Sequence, residues 1–260
     1  MTALSSAPGG LAPRPGSAPR FRVLAAQTRT EIRMTLRNGE QLLLTLVIPL
    51  LLLVGLSKLP ADVVQHSPSI DAVAPGIIAL AVISTAFTGQ AIATGFERRY
   101  GVLKLLGATP LGRSGLLVAK TLGVLVVEVV QITLITAVAL ALGWHPVGSP
   151  AYAVLLVLLG TAAFSSLGLL LAGTLRAEAT LAVANGLYLL LLAVGGVVIP
   201  AGRLPAAVEP LVSLLPSAAL GQGLRDVLLD GQGVPVHSVV VLLAWAASGS
   251  VLTARTFRWS

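Results

Sequence analysis

Residues Thr121–Leu142 read TLGVLVVEVVQITLITAVALAL, twenty-two positions with a single ionisable side chain, Glu128. A helix needs about 20 mostly apolar residues to cross a hydrocarbon core about 30 Å thick, so this stretch predicts a membrane span. Five further stretches share the character: Gln41–Ser57, Val73–Thr94, Ala151–Leu175, Ala179–Pro200 and Val236–Ala254. Together the six occupy about half of the 260 residues, and the loops between them leave no room for a sizeable soluble domain. The expected fold class is an all-α membrane protein with six transmembrane helices. Residues 1–19, rich in Ala, Pro, Ser and Gly, read as a disordered tail, and residues 20–260 as one membrane domain. The first 40 residues hold no short apolar core of a cleavable signal, so the first span itself is expected to direct insertion.

Composition agrees with this reading and excludes others. Hydrophobic residues make up 55% of the chain and charged residues 10%, against roughly a quarter in soluble domains. A globular surface could not be kept in water with so little charge. The chain has no Cys, hence no disulfide framework and no thiolate metal site. Its formal net charge of +7 has a topological explanation. Fourteen of the seventeen Lys and Arg fall before span 1, in the loops after spans 2 and 4, or at the C-terminus; only Lys58, Arg203 and Arg225 fall in the opposite loops. By the positive-inside rule both termini are cytoplasmic, and no nucleic-acid partner is needed to explain the charge. Arg outnumbers Lys fourteen to three in an Ala-, Gly- and Leu-rich chain. That bias goes with G+C-rich bacterial genomes, so the expected location is a bacterial cytoplasmic membrane.

The segments outside the spans are patterned too. Over Arg20–Asn38 a helical period places Phe21, Ala25, Ile32 and Leu36 on one face, Leu24 at its edge, and Arg22, Arg29, Arg33 and Arg37 in a neighbouring stripe. A basic amphipathic helix leading into a span lies in the interface, with its cations toward anionic lipid headgroups. The loop Phe96–Lys120 reads FERRYGVLKLLGATPLGRSGLLVAK. Val102, Leu103, Leu105 and Leu106 fit a short helix after Gly101, broken by Gly107 and Pro110; such a helix suits docking into another protein's groove. Ser114–Thr121, SGLLVAKT, imitates a P-loop only at Lys120–Thr121. Ser114 and Ala119 stand where the glycines of the amide cradle belong, so this chain is expected to bind no nucleotide. On the far side, Pro205, Pro210 and Pro216 divide Arg203–Val234 into short helical pieces. These read as re-entrant or interfacial half-helices, with the charged pair Arg225–Asp226 near the end.

Glu128 lies seven residues into its span, roughly 10 Å deep at 1.5 Å per residue. A charge at the centre of a span costs about 2.5–3.5 kcal/mol, so Glu128 is expected to face the protein interior. Gln131 shares its face at i+3, and Gln90 and Asn185 are the other deep polar groups and candidate partners. They line a substrate path or an interface with a second such chain, or else make interhelical hydrogen bonds.

In layout and in two motifs the sequence resembles the permease subunit of an ABC exporter of the type-2 class. The first motif is Glu97-Arg98-Arg99-Tyr100-Gly101-Val102-Leu103-Lys104-Leu105-Leu106 followed by Thr109-Pro110-Leu111, similar to the family's Glu-Arg, Gly-x-Leu and Thr-Pro pattern. The second is Leu215-Pro216, Gly223-Leu224-Arg225 and Leu228-Leu229-Asp230-Gly231 before the last span, similar to the family's outer re-entrant segment. The resemblance implies a separate ATP-binding subunit that uses ATP and Mg, a second permease chain, no cofactor bound by this chain, and outward export of drugs, lipids or polysaccharides. It makes the short helix after span 2 a coupling helix, with Leu103, Leu106 and Leu111 in a cleft of the ATPase and Glu97 and Arg98 at its rim. An ion-coupled secondary transporter would favour several buried ionisable groups, and only one span interior holds a carboxylate. An intramembrane protease would need a deep His beside a buried Ser such as Ser165 or Ser248; His66, His145 and His237 all fall in outer loops or at span ends.

The absence of native Cys gives the topology a direct test. Single Cys substitutions at Ser67 and Ser213 are expected to react with an impermeant thiol reagent from outside, and Ser114→Cys only from inside; labelling of Ser114→Cys from outside would reverse the orientation.

Overall fold

A computed structural model describes residues 18–58, 69–107, 111–194 and 209–257. Among these, regular structure is entirely helical, as an apolar surrounding demands: with no water to satisfy backbone N–H and C=O groups, the chain pairs them within each helix. The order is α1 (Arg20–Arg37), α2 (Gly39–Ser57), α3 (Ile70–Val82), a π-helical segment (Ile83–Gly89), α4 (Gln90–Arg99), α5 (Val102–Gly107), α6 (Gly112–Ala141), α7 (Pro150–Thr174), α8 (Ala177–Val194), α9 (Glu209–Ser213), α10 (Pro216–Leu228) and α11 (Val236–Thr256).

Among the described residues four helices are long and apolar enough to cross a membrane: Ile70–Arg99, Ser114–Ala141, Pro150–Thr174 and Val236–Thr256. Thr45–Ser57 and Ala177–Ala193 are apolar but shorter; the first falls within the expected first span, the second overlaps the expected fifth and begins two residues before it, and residues 195–200 of the fifth lie outside the described residues. The helices through the second and third spans run beyond their apolar cores. α4 continues to Arg99 and α6 begins at Gly112, because a helical ladder persists into polar sequence until a turn residue stops it. Both stops are glycines in the left-handed region, Gly101 at φ +77° and Gly112 at φ +65°, which residues with a Cβ rarely adopt.

The helix Ile70–Arg99 is the axis of the bundle, and most of its apolar part is buried. α7 packs against its π segment and α4, and lies even more extensively along α11. The approach is close because the contacts are small. A Cβ on Gly168 would stand 2.7 Å from the Phe87 carbonyl oxygen in the π segment, and one on Gly249 would meet the Ser166 hydroxyl. Phe87 and Phe164 meet edge to face, centroids 6.4 Å apart. Thr253 Oγ1 donates to the Ser166 carbonyl (2.9 Å), tying α11 to α7. The sequence expectation for the outer segment is sharpened here. α10 is nearly all buried against α3, α7 and α11, so it is a core element and not a surface helix.

α1 departs from the expected arrangement. Its four arginines Arg22, Arg29, Arg33 and Arg37 are exposed as anticipated. Phe21 and Leu36, however, are also outward (68% and 52% exposed), while Glu31 is buried. The face against α6 is the polar one, with Gln27, Thr28, Glu31 and Thr35. The reason lies in α6, which offers this face a buried cation.

Packing by glycine gives a prediction. Gly168→Ala drives a methyl group against a backbone carbonyl that cannot rotate away, and should cost about 1–3 kcal/mol, read as a lower thermal midpoint in detergent. Gly186→Ala, with nothing within 4 Å, should be neutral or stabilise by up to about 1 kcal/mol.

Candidate functional site

The buried cation is Lys120, in the first third of α6. Its Nζ lies 2.9 Å from Glu31 Oε2 on α1 and 2.7 Å from Glu97 Oε2 on α4. The Lys120 side chain is 3% exposed, and those of Glu31 and Glu97 are 10% and 14%. Gln27 Nε2 donates to the other Glu31 oxygen (2.7 Å), and a Cβ at Gly123 would come within 3.0 Å of the Glu31 Cβ, so the helices pack closely at this point. Desolvating charges is costly, and such a cluster persists only when each charge is paired. The sequence placed Glu97 at a partner-facing rim; in the structure it turns inward. No spacing rule in the sequence pairs Glu31 with Lys120, which stand 89 residues apart.

Glu97 and Arg98 point different ways from the end of α4. Arg98 Nη1 donates to the Ala172 carbonyl (2.8 Å), and Nη2 donates to the Leu175 carbonyl. A guanidinium thus satisfies the open carbonyls at the end of α7, where a cation is also favoured by the helix dipole. Arg99 pairs with Glu178 at the start of α8. Arg98 is therefore also turned into the fold and not presented at a rim.

One turn further, the chain reverses at Gly101 and forms α5. Leu103 is fully buried with Leu116 of α6 and Phe257 after α11, and Leu106 and Leu111 flank this cluster. Phe257 itself rests on Gly173, where a Cβ would clash with its ring. Leu103, expected in a partner's cleft, is thus an internal anchor. The side chains on offer are Tyr100 and Leu105, each 74% exposed, and Lys104. Thr109 and Pro110 lie outside the described residues.

Deep in the bundle, polar groups are paired in three separate ties. Gln131 Oε1 accepts from Thr85 of the π segment (2.9 Å), and its Nε2 donates to the Thr45 carbonyl of α2 (2.5 Å). Gln90 Oε1 accepts from Ser165 (2.6 Å), whose Oγ also lies 2.8 Å from Thr121 Oγ1. Glu128 Oε2 accepts from Thr161 of α7. Glu128 and Gln131 are both buried, as expected, but Glu128 meets neither Gln90 nor Asn185. Asn185 is exposed on α8 and satisfied within its own helix by the Leu181 carbonyl (3.0 Å). At the other end, Pro216 opens α10 and is buried with Arg225. Asp226 accepts from Gln222 (2.7 Å). Burial raises the Asp226 carboxyl above its ordinary range and lowers the Arg225 guanidinium.

The sequence matches the ABC-2 type transporter family over residues 22–229. The chain belongs to this family. The match runs from the arginine-rich helix to the end of α10 and takes in the charge cluster, α5 and all three polar ties. The chain is thus a permease-type transport subunit, a multi-pass membrane protein whose helices span and pack. Comparison with curated proteins gives no match.

Charge removal distinguishes the members of the cluster. Lys120→Met leaves two buried carboxylates facing each other and should cost about 3–5 kcal/mol. Glu31→Gln leaves a neutral Lys120–Glu97 pair and should cost less than half of that. Thermal unfolding of the purified variants orders them, and Lys120→Met combined with Glu31→Gln and Glu97→Gln should regain most of the loss.

Proposed function

We propose that this chain is the membrane-spanning subunit of an ATP-driven exporter in a bacterial cytoplasmic membrane. It crosses six times, with both termini and α5 on the cytoplasmic side and α9–α10 re-entrant from the outside. A separate ABC ATP-binding subunit uses ATP and Mg, and a second permease chain completes the translocation unit. The substrate is hydrophobic or amphipathic: drug-like, lipid or polysaccharide. The four arginines of α1 rest on lipid headgroups.

The observation that supports this reading best is the build of the α4–α5 hairpin within a chain of this family. A contact that passes on force needs exposed apolar and aromatic groups on a stub that does not yield. Tyr100 at the turn and Lys104 and Leu105 of α5 face outward, and Leu103 is locked inward between Leu116 and Phe257. α4, which carries it, is held by Lys120 at Glu97 and by the end of α7 at Arg98. A push on α5 from a closing ATPase would pass through these ties into α6, α7 and α1 together. The ATPase contact expected at Leu103 is accordingly assigned to Leu105 and Tyr100.

The two leucines separate docking from folding. Leu105→Asp should leave the thermal midpoint of the subunit unchanged but weaken its complex with the ATP-binding subunit by roughly 2 kcal/mol, about thirtyfold, with loss of stimulated ATPase. Leu103→Asp should lower the midpoint itself. Full complex formation and stimulation in Leu105→Asp would remove α5 from the contact.

A further inference from the structure

Between α6 and α7 the bundle has a groove of about 420 Å³, within the range of small-molecule sites. It runs from Glu128 past Ile132 and Thr136 to Leu140 and Trp144, roughly 18 Å of helix from Glu128 to Leu140 at 1.5 Å per residue. Leu224 and Leu228 of α10 close its outer end. Its rim is lipid-facing: Val129, Val154 and Leu158 are 65%, 56% and 46% exposed. The lining is mostly aliphatic, and no Lys, Arg or His is part of it.

Two polar atoms in this lining have no partner. Glu128 is 1% exposed, and while its Oε2 accepts from Thr161, its Oε1 has no hydrogen bond. The indole N–H of Trp144, 3% exposed, also has none. Buried polar atoms without partners are rare and mark sites of strain or of ligation, and an ionisable group at membrane depth is a functional candidate. An enclosed, unpartnered carboxyl oxygen on a residue that lines an apolar groove calls for a hydrogen-bond donor, and a cationic one gains most. A phospholipid lying in the groove would bring the reverse polarity. Its headgroup would sit at the Trp144 end, and its terminal methyl would meet the carboxyl.

We infer that the α6–α7 groove is a binding site for an elongated lipophilic amine, entered sideways from the lipid, with the amine donating to Glu128 Oε1 and the apolar body running toward Trp144. As a substrate site it rests on the permease reading above; as a binding site it does not, and it can be measured without ATPase or transport.

The test uses the full chain in lipid nanodiscs with Trp245 and Trp259 replaced by Phe, so that Trp144 alone fluoresces. The probes are ω-bromododecylamine and ω-bromododecanol, which place a bromine quencher at the tail end. The expected result is saturable quenching by the amine at roughly one-tenth or less of the concentration the alcohol needs. Glu128→Gln should reduce the amine to the level of the alcohol and leave the alcohol unchanged. Val129→Phe, at an exposed rim position, should weaken both. Equal binding of amine and alcohol to the chain with Glu128 intact would overturn the inference, whether or not Glu128→Gln folds, and would mark a plain acyl-chain groove. An amine preference that survives Glu128→Gln would overturn it too. Failure of both probes to quench would mean that a lipid or a second copy already fills the groove, and would equally reject it. Any of these outcomes leaves the permease reading standing, since that is tested at α5.

Discussion

A lysine ammonium inside a membrane protein has to be met by charge, and much of the cytoplasmic-side architecture proposed here follows from how Lys120 is met. One carboxylate comes from α1 and one from α4. This draws the amphipathic helix onto the bundle by its polar face, and fixes the end of the central helix just before it turns into α5. Three separate helices, α1, α4 and α6, are thereby joined at one nitrogen. Next to this joint, Arg98 fastens α4 to the end of α7, and the Leu103–Leu116–Phe257 cluster fastens α5 to α6 and to the chain after α11.

The membrane inverts the usual logic of burial, and α1 shows how. In water, Phe21 and Leu36 would seek the protein and Glu31 the solvent. With α1 at the lipid interface, as proposed above, an outward apolar face would carry no hydrophobic penalty, while a buried charge pair is strengthened by the low dielectric. The polar face turns inward with Leu24 and Ile32 half-buried beside it, while Phe21, Ala25 and Leu36 remain outside. The same logic accounts for the deep ties. Each interhelical hydrogen bond is worth only about 0.6–2 kcal/mol, but Gln131 with Thr85 and Thr45, and Gln90 with Ser165, select one rotation of each helix among many that are equally apolar. The π segment is part of that selection, since it is the turn that holds Thr85 against Gln131.

Glu128 stands apart from this pattern. The glutamines use their polar atoms to fix helices, with only the Gln90 amide nitrogen left over. Glu128 spends one oxygen on Thr161 and leaves the other without a partner, on a residue that lines an apolar groove. A residue needed only to join α6 to α7 could be a Ser or Thr, as Ser165 and Thr121 illustrate two turns away.

The sequence by itself determined the all-helical membrane class, because apolar runs near 20 residues admit few other structures once water is absent. It also determined the break at Gly101 and the short helix that follows, because glycine and proline act locally. The burial of Glu128 and Gln131 followed from the cost of polar groups in hydrocarbon. What only the tertiary structure decided is which groups meet. Glu31 with Lys120, Thr161 with Glu128, and Leu103 with Phe257 join positions far apart in the chain. A hydropathy pattern ranks residues by their preference for lipid or water, yet inside a bundle the orientation of a helix is chosen by a few polar partners and by close glycine contacts. The sequence pattern therefore left the rotation of α1, the inward turn of Glu97 and the outward position of Asn185 undetermined, because each depends on a neighbour that folding alone supplies.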